Sequence, residues 1–232
     1  KEKYGQDFYV FGEFWNPDKD ANLEYLDKIE ERFDLVDVRL HMNLFEASQA
    51  GADYDLRTIF NDSLVQIKPD KAVTFVENHD TQRGQALEST VEEWFKPAAY
   101  ALILLREQGL PCVFYGDYYG ISGQYAQQDF KEVLDHLLAI RKDLAYGEQT
   151  DYFDDPNCIG WVRSGADNQS PLAILISNAQ ENYKTMFVGP EWAEQTFVDL
   201  LGNHSDQVTI NSDGYGDFPV AERSLSVWGL AN

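Results

Sequence analysis

Four times within the first 150 residues, a short apolar run gives way to a stretch with helical periodicity, and few folds accommodate that rhythm. Residues 8–11, 35–38, 72–76 and 111–115 have the length and the β-branched or aromatic content of strands. Residues 20–33 carry Leu23, Leu26, Ile29 and Phe33 at helical spacing, and 54–60 form a weaker helical segment. A further helix opens at Pro97 and closes at Gly109, the usual order of these two residues around a helix. The last begins where Asp129 and Glu132 read as a capping box, aligns Val133, Leu134, Leu137 and Leu138, and stops before Gly147. Strand–helix alternation of this kind predicts a parallel sheet with helices outside it. After Tyr146 the pattern changes to short strand candidates at 159–163, 172–177, 183–188, 196–200, 208–210 and 225–230, separated by Gly, Pro, Asn and Asp. That spacing suits a small antiparallel sandwich. The expected division is therefore 1–148 and 149–232, with no low-complexity linker, so the two parts should pack directly on each other.

Composition narrows the partners. Among 232 residues, 18 Lys and Arg face 40 Asp and Glu, a formal charge of -22. No basic footprint exists to release counterions from a phosphate backbone or an anionic lipid surface, so neither nucleic acid nor membrane is an expected partner, whereas a neutral polymer is acceptable. No apolar stretch reaches about 18 residues. Cys112 and Cys158 are too few for a disulfide framework and lack metal-ligand spacing, so both are expected as buried reduced thiols.

Two of the strand-like runs end in polar residues. Val73 to Gln82 reads VTFVENHDTQ, in which a buried strand leads into Asn78, His79 and Asp80. Phe8 to Trp15 reads FYVFGEFW and places Glu13 at a strand end with Trp15 beside it. Parallel strands deliver functional side chains at their C-terminal ends. Two carboxylates, a histidine and a tryptophan suit acetal cleavage, which needs a proton donor, negative charge near an oxocarbenium ion and an aromatic face for the sugar. Gly116, Gly120 and Gly123 are too irregular for a dinucleotide fingerprint and read as the loop leaving the fourth strand. Trp161, Tyr183, Trp192 and Trp228 read as packing residues, with Trp192 a candidate for a secondary sugar contact.

The segments FGEFW, FVENHDTQ, LESTVEEWFKPAAYALILLREQGLPCVFYGDYYG and YFDDPNCIGW resemble the α-amylases of glycoside hydrolase family 13, above all their liquefying and cytoplasmic bacterial branch. The resemblance covers essentially the whole chain. It implies the fifth to eighth strands of a (β/α)8 TIM barrel followed by an all-β antiparallel sandwich domain. It also implies Glu13 as general acid/base and Asp80 as the carboxylate that grips the sugar and stabilises its charged transition state. His79, Trp15 and Gln82 would be substrate-binding residues. A cytoplasmic location follows from the branch it resembles.

One part of the family pattern is missing. A retaining glycosidase needs a nucleophilic carboxylate roughly 5–5.5 Å from the acid, and in this family it lies one strand before the acid in a G-F-R-x-D motif. Nothing of that type precedes Glu13, and Asp7 starts on the wrong side of its strand. The chain is therefore expected to be the C-terminal portion of a longer enzyme, nearly inactive alone, partnered by the missing N-terminal half or by itself through the open barrel face. The full enzyme is expected to hydrolyse internal α-1,4 bonds of starch-type glucans with retention. The rivals are glucan transfer by the same constellation and a non-catalytic glucan-binding module. The resemblance also implies calcium between the two domains, at backbone oxygens near Ala52, Tyr54 and Thr150 and at Asp151. Asn178 stands where a second carboxylate belongs and Thr150 where a histidine is usual, while the family's main calcium site would lie upstream.

Overall fold

The structure is a computed structural model that describes residues 8–166 and 169–231; Asp7 lies outside them. The first part alternates β1 (Phe11–Gly12), α1 (Lys19–Lys28), β2 (Asp34–Val36), α2 (Val38–Ala50), α3 (Leu64–Ile67), β3 (Ala72–Phe75), α4 (Lys96–Leu104), β4 (Leu110–Cys112), α5 (Tyr115–Tyr119) and α6 (Lys131–Asp143). The four strands form one parallel sheet in chain order. Their inward side chains Val36, Val73 and Phe75 cluster with Val38, and the helices pack on the outer side around Leu35, Leu40, Leu44, Ala72 and Tyr100.

Local chemistry sets the boundaries. Asp18 caps α1 by accepting from Ala21 N at 2.8 Å. That helix was expected to reach Phe33 but ends at Lys28, because Glu30 and Glu31 take left-handed φ values of 53° and 51° and the Glu31 amide closes back on Leu26 O. The capping box expected for α6 is not formed: Phe130 holds the N-cap position, and Asp129 Oδ1 accepts from Lys131 N at 3.3 Å. The weak helical segment at 54–60 reduces to 3-10 turns at Gly51–Asp53 and Leu56–Thr58. Gly109, at φ 82°, makes the turn into β4, where a Cβ would fall 2.8 Å from Thr74 Cγ2 and 2.9 Å from Val65 Cγ2. Cys158 is buried as expected; Cys112 is exposed, since among the described residues β4 is an outer strand paired with β3 alone.

The second part holds β5 (Gln149–Asp155), β6 (Cys158–Arg163), β7 (Leu172–Ser177), β8 (Asn182–Phe187), β9 (Thr196–Asp199), β10 (Gln207–Thr209), β11 (Tyr215–Val220) and β12 (Leu225–Leu230). Six of these form an antiparallel sheet in the order β10-β9-β12-β7-β6-β5, with the β11-β8 pair packed over it. β6 and β7 are buried throughout because they are sandwiched on both faces. Trp161, Ile174 and Ile176 face the helices of the first part, while Val162, Ala173 and Leu175 face Met186 and Phe218 of the pair. Trp228 is also buried, Trp192 is half-buried against the second core, and Tyr183 is exposed.

Candidate active site

Because β1, β2 and β3 run parallel, the residues following β1 and β3 leave the sheet at the same end. Glu13 follows β1 directly, and Asn78, His79 and Asp80 follow β3 after Val76 and Glu77. The two segments meet where Asn78 Nδ2 donates to Glu13 Oε1 across 3.3 Å. Glu13 and His79 are exposed and Asp80 is partly so, with His79 Nε2 3.5 Å from Asp80 Oδ2. Gln82 is half-buried on the same turn. Trp15 is half-buried, its ring tilted against His41 at 5.9 Å and Phe75 at 6.1 Å between centroids.

The turn carrying these groups is held by its own side chains. Asn78 Oδ1 accepts from the backbone N–H of Asp80 and of Thr81, both at 2.9 Å, the closure characteristic of an Asx-turn. The Asn78 N–H donates to Thr81 Oγ1 at 3.0 Å, and that hydroxyl donates to Glu77 Oε2 at 2.7 Å. Glu77 Oε1 accepts from Val91 N at 2.6 Å. Glu77 is buried, and burial pushes its carboxyl up to about 7 against the counter-pull of Lys96, whose Nζ lies 3.8 Å away. Lys96 also pairs with Asp117, which accepts from Tyr100 OH at 2.5 Å and from Gln127 Nε2 at 2.6 Å. A second buried group supports the strand end: His41 bonds Val76 O at 2.8 Å and Ser89 Oγ at 2.7 Å, and burial lowers its imidazole to about 4.

Sequence reasoning passed over this understructure. Glu77, Lys96, Asp117 and His41 are far apart in the chain, and each alone reads as ordinary. One signal was present: Lys96 is a lone cation at the start of the apolar helix KPAAYALIL, a position that demands a buried counter-ion.

Of the five residues expected to hold calcium, Ala52, Tyr54 and Asn178 are joined through hydrogen bonds, while Thr150 and Asp151 lie on β5. Asn178 is buried, and its Nδ2 donates to Gly51 O and Tyr54 O, both at 2.8 Å. Its Oδ1 accepts from Asn157 Nδ2 at 2.9 Å, and that amide also donates to Ala52 O at 2.7 Å. The carbonyl oxygens of residues 51, 52 and 54 are thus met by N–H groups, which a cation would repel. Asp151 instead forms a fork with Arg106, two bonds of 2.8 Å. Thr150 sits opposite Val162, roughly 15 Å of strand away from the 155–157 turn. Among the described residues no group of three or more His, Cys, Asp and Glu could hold a metal.

A parallel sheet covered by helices, with carboxylates at the C-terminal mouth and an antiparallel domain behind it, is the arrangement of barrel glycosidases and their kin. Residues 1–191 match the family described as "Alpha amylase, catalytic domain", and residues 172–229 match "Alpha-amylase C-terminal". The chain belongs to the α-amylase family. It is 46% identical over 230 residues to an α-amylase of Geobacillus stearothermophilus, covering 98% of this chain and 42% of that protein. It is 48% identical to a glucan 1,4-α-maltohexaosidase of Bacillus sp. (strain 707), covering 97% and 43%, and 42% identical to a cytoplasmic α-amylase of Escherichia coli (strain K12), covering 95% and 46%. The chain therefore spans less than half the length of these relatives. In fold it is similar to the cyclomaltodextrin glucanotransferase CldA (TM-score 0.71, 18% identity, 97% of this chain and 51% of that one). It is likewise similar to an α-amylase from Malbranchea cinnamomea (TM-score 0.69, 16% identity, 96% and 50%). The four parallel strands are part of a TIM barrel, and a β domain follows them. Among the described residues no helix is long and apolar enough to cross a membrane.

Proposed function

We propose that this chain is the proton-donating portion of an enzyme that hydrolyses internal α-1,4 bonds of starch-type glucans with retention. Glu13 protonates the glycosidic oxygen and later accepts a proton from the attacking water. Asp80 and His79 hold the hydroxyls of the sugar at the cleavage point, with Trp15 and Gln82 at the margin. The observation that carries this reading is the Asn78–Glu13 contact, which brings the ends of β1 and β3 to one mouth. The nucleophile would come from the other half of the barrel, docked against the open edges of β1 and β4. Phe8, Tyr9, Val10 and Phe11 on one edge and Leu110 on the other are exposed, as such a docking requires. The same reading divides the chain at 148/149, between α6 and β5, and leaves any calcium requirement of the whole enzyme to residues outside the 51–54 turn.

The test is reducing-end release from starch by this chain, alone and with the missing half supplied. Alone it should be at least about a thousandfold slower than the recombined enzyme, because positioning and acid catalysis without a nucleophile give only part of the rate. Glu13→Gln should remove about 10²-fold or more of the recombined activity. Full activity of the isolated chain, or of the Glu13→Gln assembly, would overturn the assignment.

A further inference from the structure

Asn78 has a fixed sense at the mouth of the sheet. Its Oδ1 accepts two backbone N–H groups at 2.9 Å, so rotating the amide by 180° would set an NH2 group against two donors. Only the Nδ2 end can face Glu13, and it meets Oε1 at 3.3 Å. The residue cannot drift, since its own N–H is tied through Thr81 Oγ1 to Glu77, whose other oxygen holds Val91 N.

We propose that Asn78 is a positioning residue for Glu13, its NH2 holding Oε1 and so leaving Oε2 as the oxygen that carries the exchangeable proton. The inference rests on the reading of Glu13 as the proton donor. An NH2 group can only donate, and it cannot accept a bond from a protonated carboxyl oxygen. It therefore favours the proton on the opposite oxygen, and it stabilises the carboxylate left once that proton has gone to the leaving group. The acid is thus presented by one defined oxygen, and the base that later takes a proton from water is held in the same orientation. Other charged groups near this mouth are committed elsewhere. Glu77 is bound to Thr81 and Val91, His79 and Asp80 face each other, and Arg83 lies 4.0 Å from Glu92. Beneath β2's end, Asp37 accepts from Leu40, Leu64 and Val65, and His41 is held by Val76 and Ser89.

The decisive variant is Asn78→Asp, which keeps an oxygen for the Asp80 and Thr81 amides but turns a second carboxylate oxygen toward Glu13. In this chain, the Glu13 carboxyl followed by carbon-13 NMR should titrate about one unit or more higher than in the unmodified protein, from like-charge repulsion. The amide signals of Asp80 and Thr81 should stay in place. Asn78→Ser, which keeps an acceptor and removes the donor without adding charge, should give a smaller rise. In the recombined enzyme Asn78→Ser should lower kcat about tenfold with little change in KM, since substrate contacts are untouched. An unmoved Glu13 titration in Asn78→Asp with the turn signals preserved overturns the proposal, as does loss in Asn78→Ser confined to KM. Retained activity in Glu13→Gln overturns the functional reading instead, and leaves the titration result standing.

Discussion

Glu77 and His41 sit beneath the turn that follows β3 with opposite displacements, and together they define a pH window. For Glu77 the folded value of about 7 lies above the ordinary 4.5, so the folded chain keeps a proton that the unfolded chain releases. Its contribution to stability is intact below 4.5 and is lost as pH rises through 7. For His41 the folded value of about 4 lies below 6.5, so its contribution is intact above 6.5 and lost as pH falls toward 4. Glu77→Gln should therefore behave like the parent near pH 4.5 and become relatively more stable above pH 7, a difference of up to about 3 kcal/mol. Denaturant unfolding of both proteins across that range checks it, and parallel curves would refute the assignment of the shift to Glu77. At this scale the exposed candidate residues were legible in the sequence and the buried groups beneath them were not. Glu13, His79 and Asp80 stand out as polar residues ending apolar runs, whereas Glu77 is explained only by Lys96 and Asp117, which approach through folding.

Among the elements, the strand–helix rhythm was readable but α2 was not. Sequence reading extended β2 to residue 38, where the structure ends the strand at Val36 and starts a 13-residue helix after Asp37. Asp37 makes that abrupt change feasible: its Oδ1 caps α2 at Leu40 N (3.0 Å), and the same carboxylate meets Leu64 N (3.1 Å) and Val65 N (2.7 Å) at the start of α3. A single buried acid serving two helix ends leaves no signature in either segment alone. β5 and β11 were missed for different reasons. β5 is charged and half-exposed at a sheet edge, and β11 contains Gly216 and Pro219, tolerated because among the described residues it pairs with β8 alone. The link between β7 and the 51–54 turn makes a prediction about metals. Asn178→Asp should destabilise the chain by about 2–4 kcal/mol, since two buried carbonyl groups lose their donors and face a carboxylate. Millimolar calcium should restore part of that loss, while chelator should leave the parent's melting temperature unchanged. Calorimetry with and without each reagent decides the matter; a parent that melts earlier in chelator would contradict the amide clasp.

Over the whole molecule, β1 and β4 are the outer strands of the parallel sheet among the described residues. Among the described residues β1 pairs with β2 alone and β4 with β3 alone, and both lie beside exposed apolar side chains, with Phe11 48% and Leu110 46% accessible. On the proposed reading this chain should self-associate and bind an apolar dye, and supplying the other half of the barrel should abolish both. A monodisperse monomer in light scattering that leaves the dye dark would refute this. The half-barrel was legible because four repeats of one pattern imply a parallel sheet, but how the sandwich seals it was not, since that depends on contacts between distant segments. Arg106, at the end of α4, forks onto Asp151 beneath the rings of Phe60, Phe153 and Trp161. The Leu105 carbonyl, which closes α4, accepts from Trp161 Nε1 and Arg163 Nη1, residues 56 and 58 positions later, each at 3.4 Å. Until β6 is in place that carbonyl has only water to accept from, so the end of α4 reaches its buried form when the second part folds onto it. The trailing sheet is thus no detachable appendage; it is the piece whose arrival lets the earlier one set.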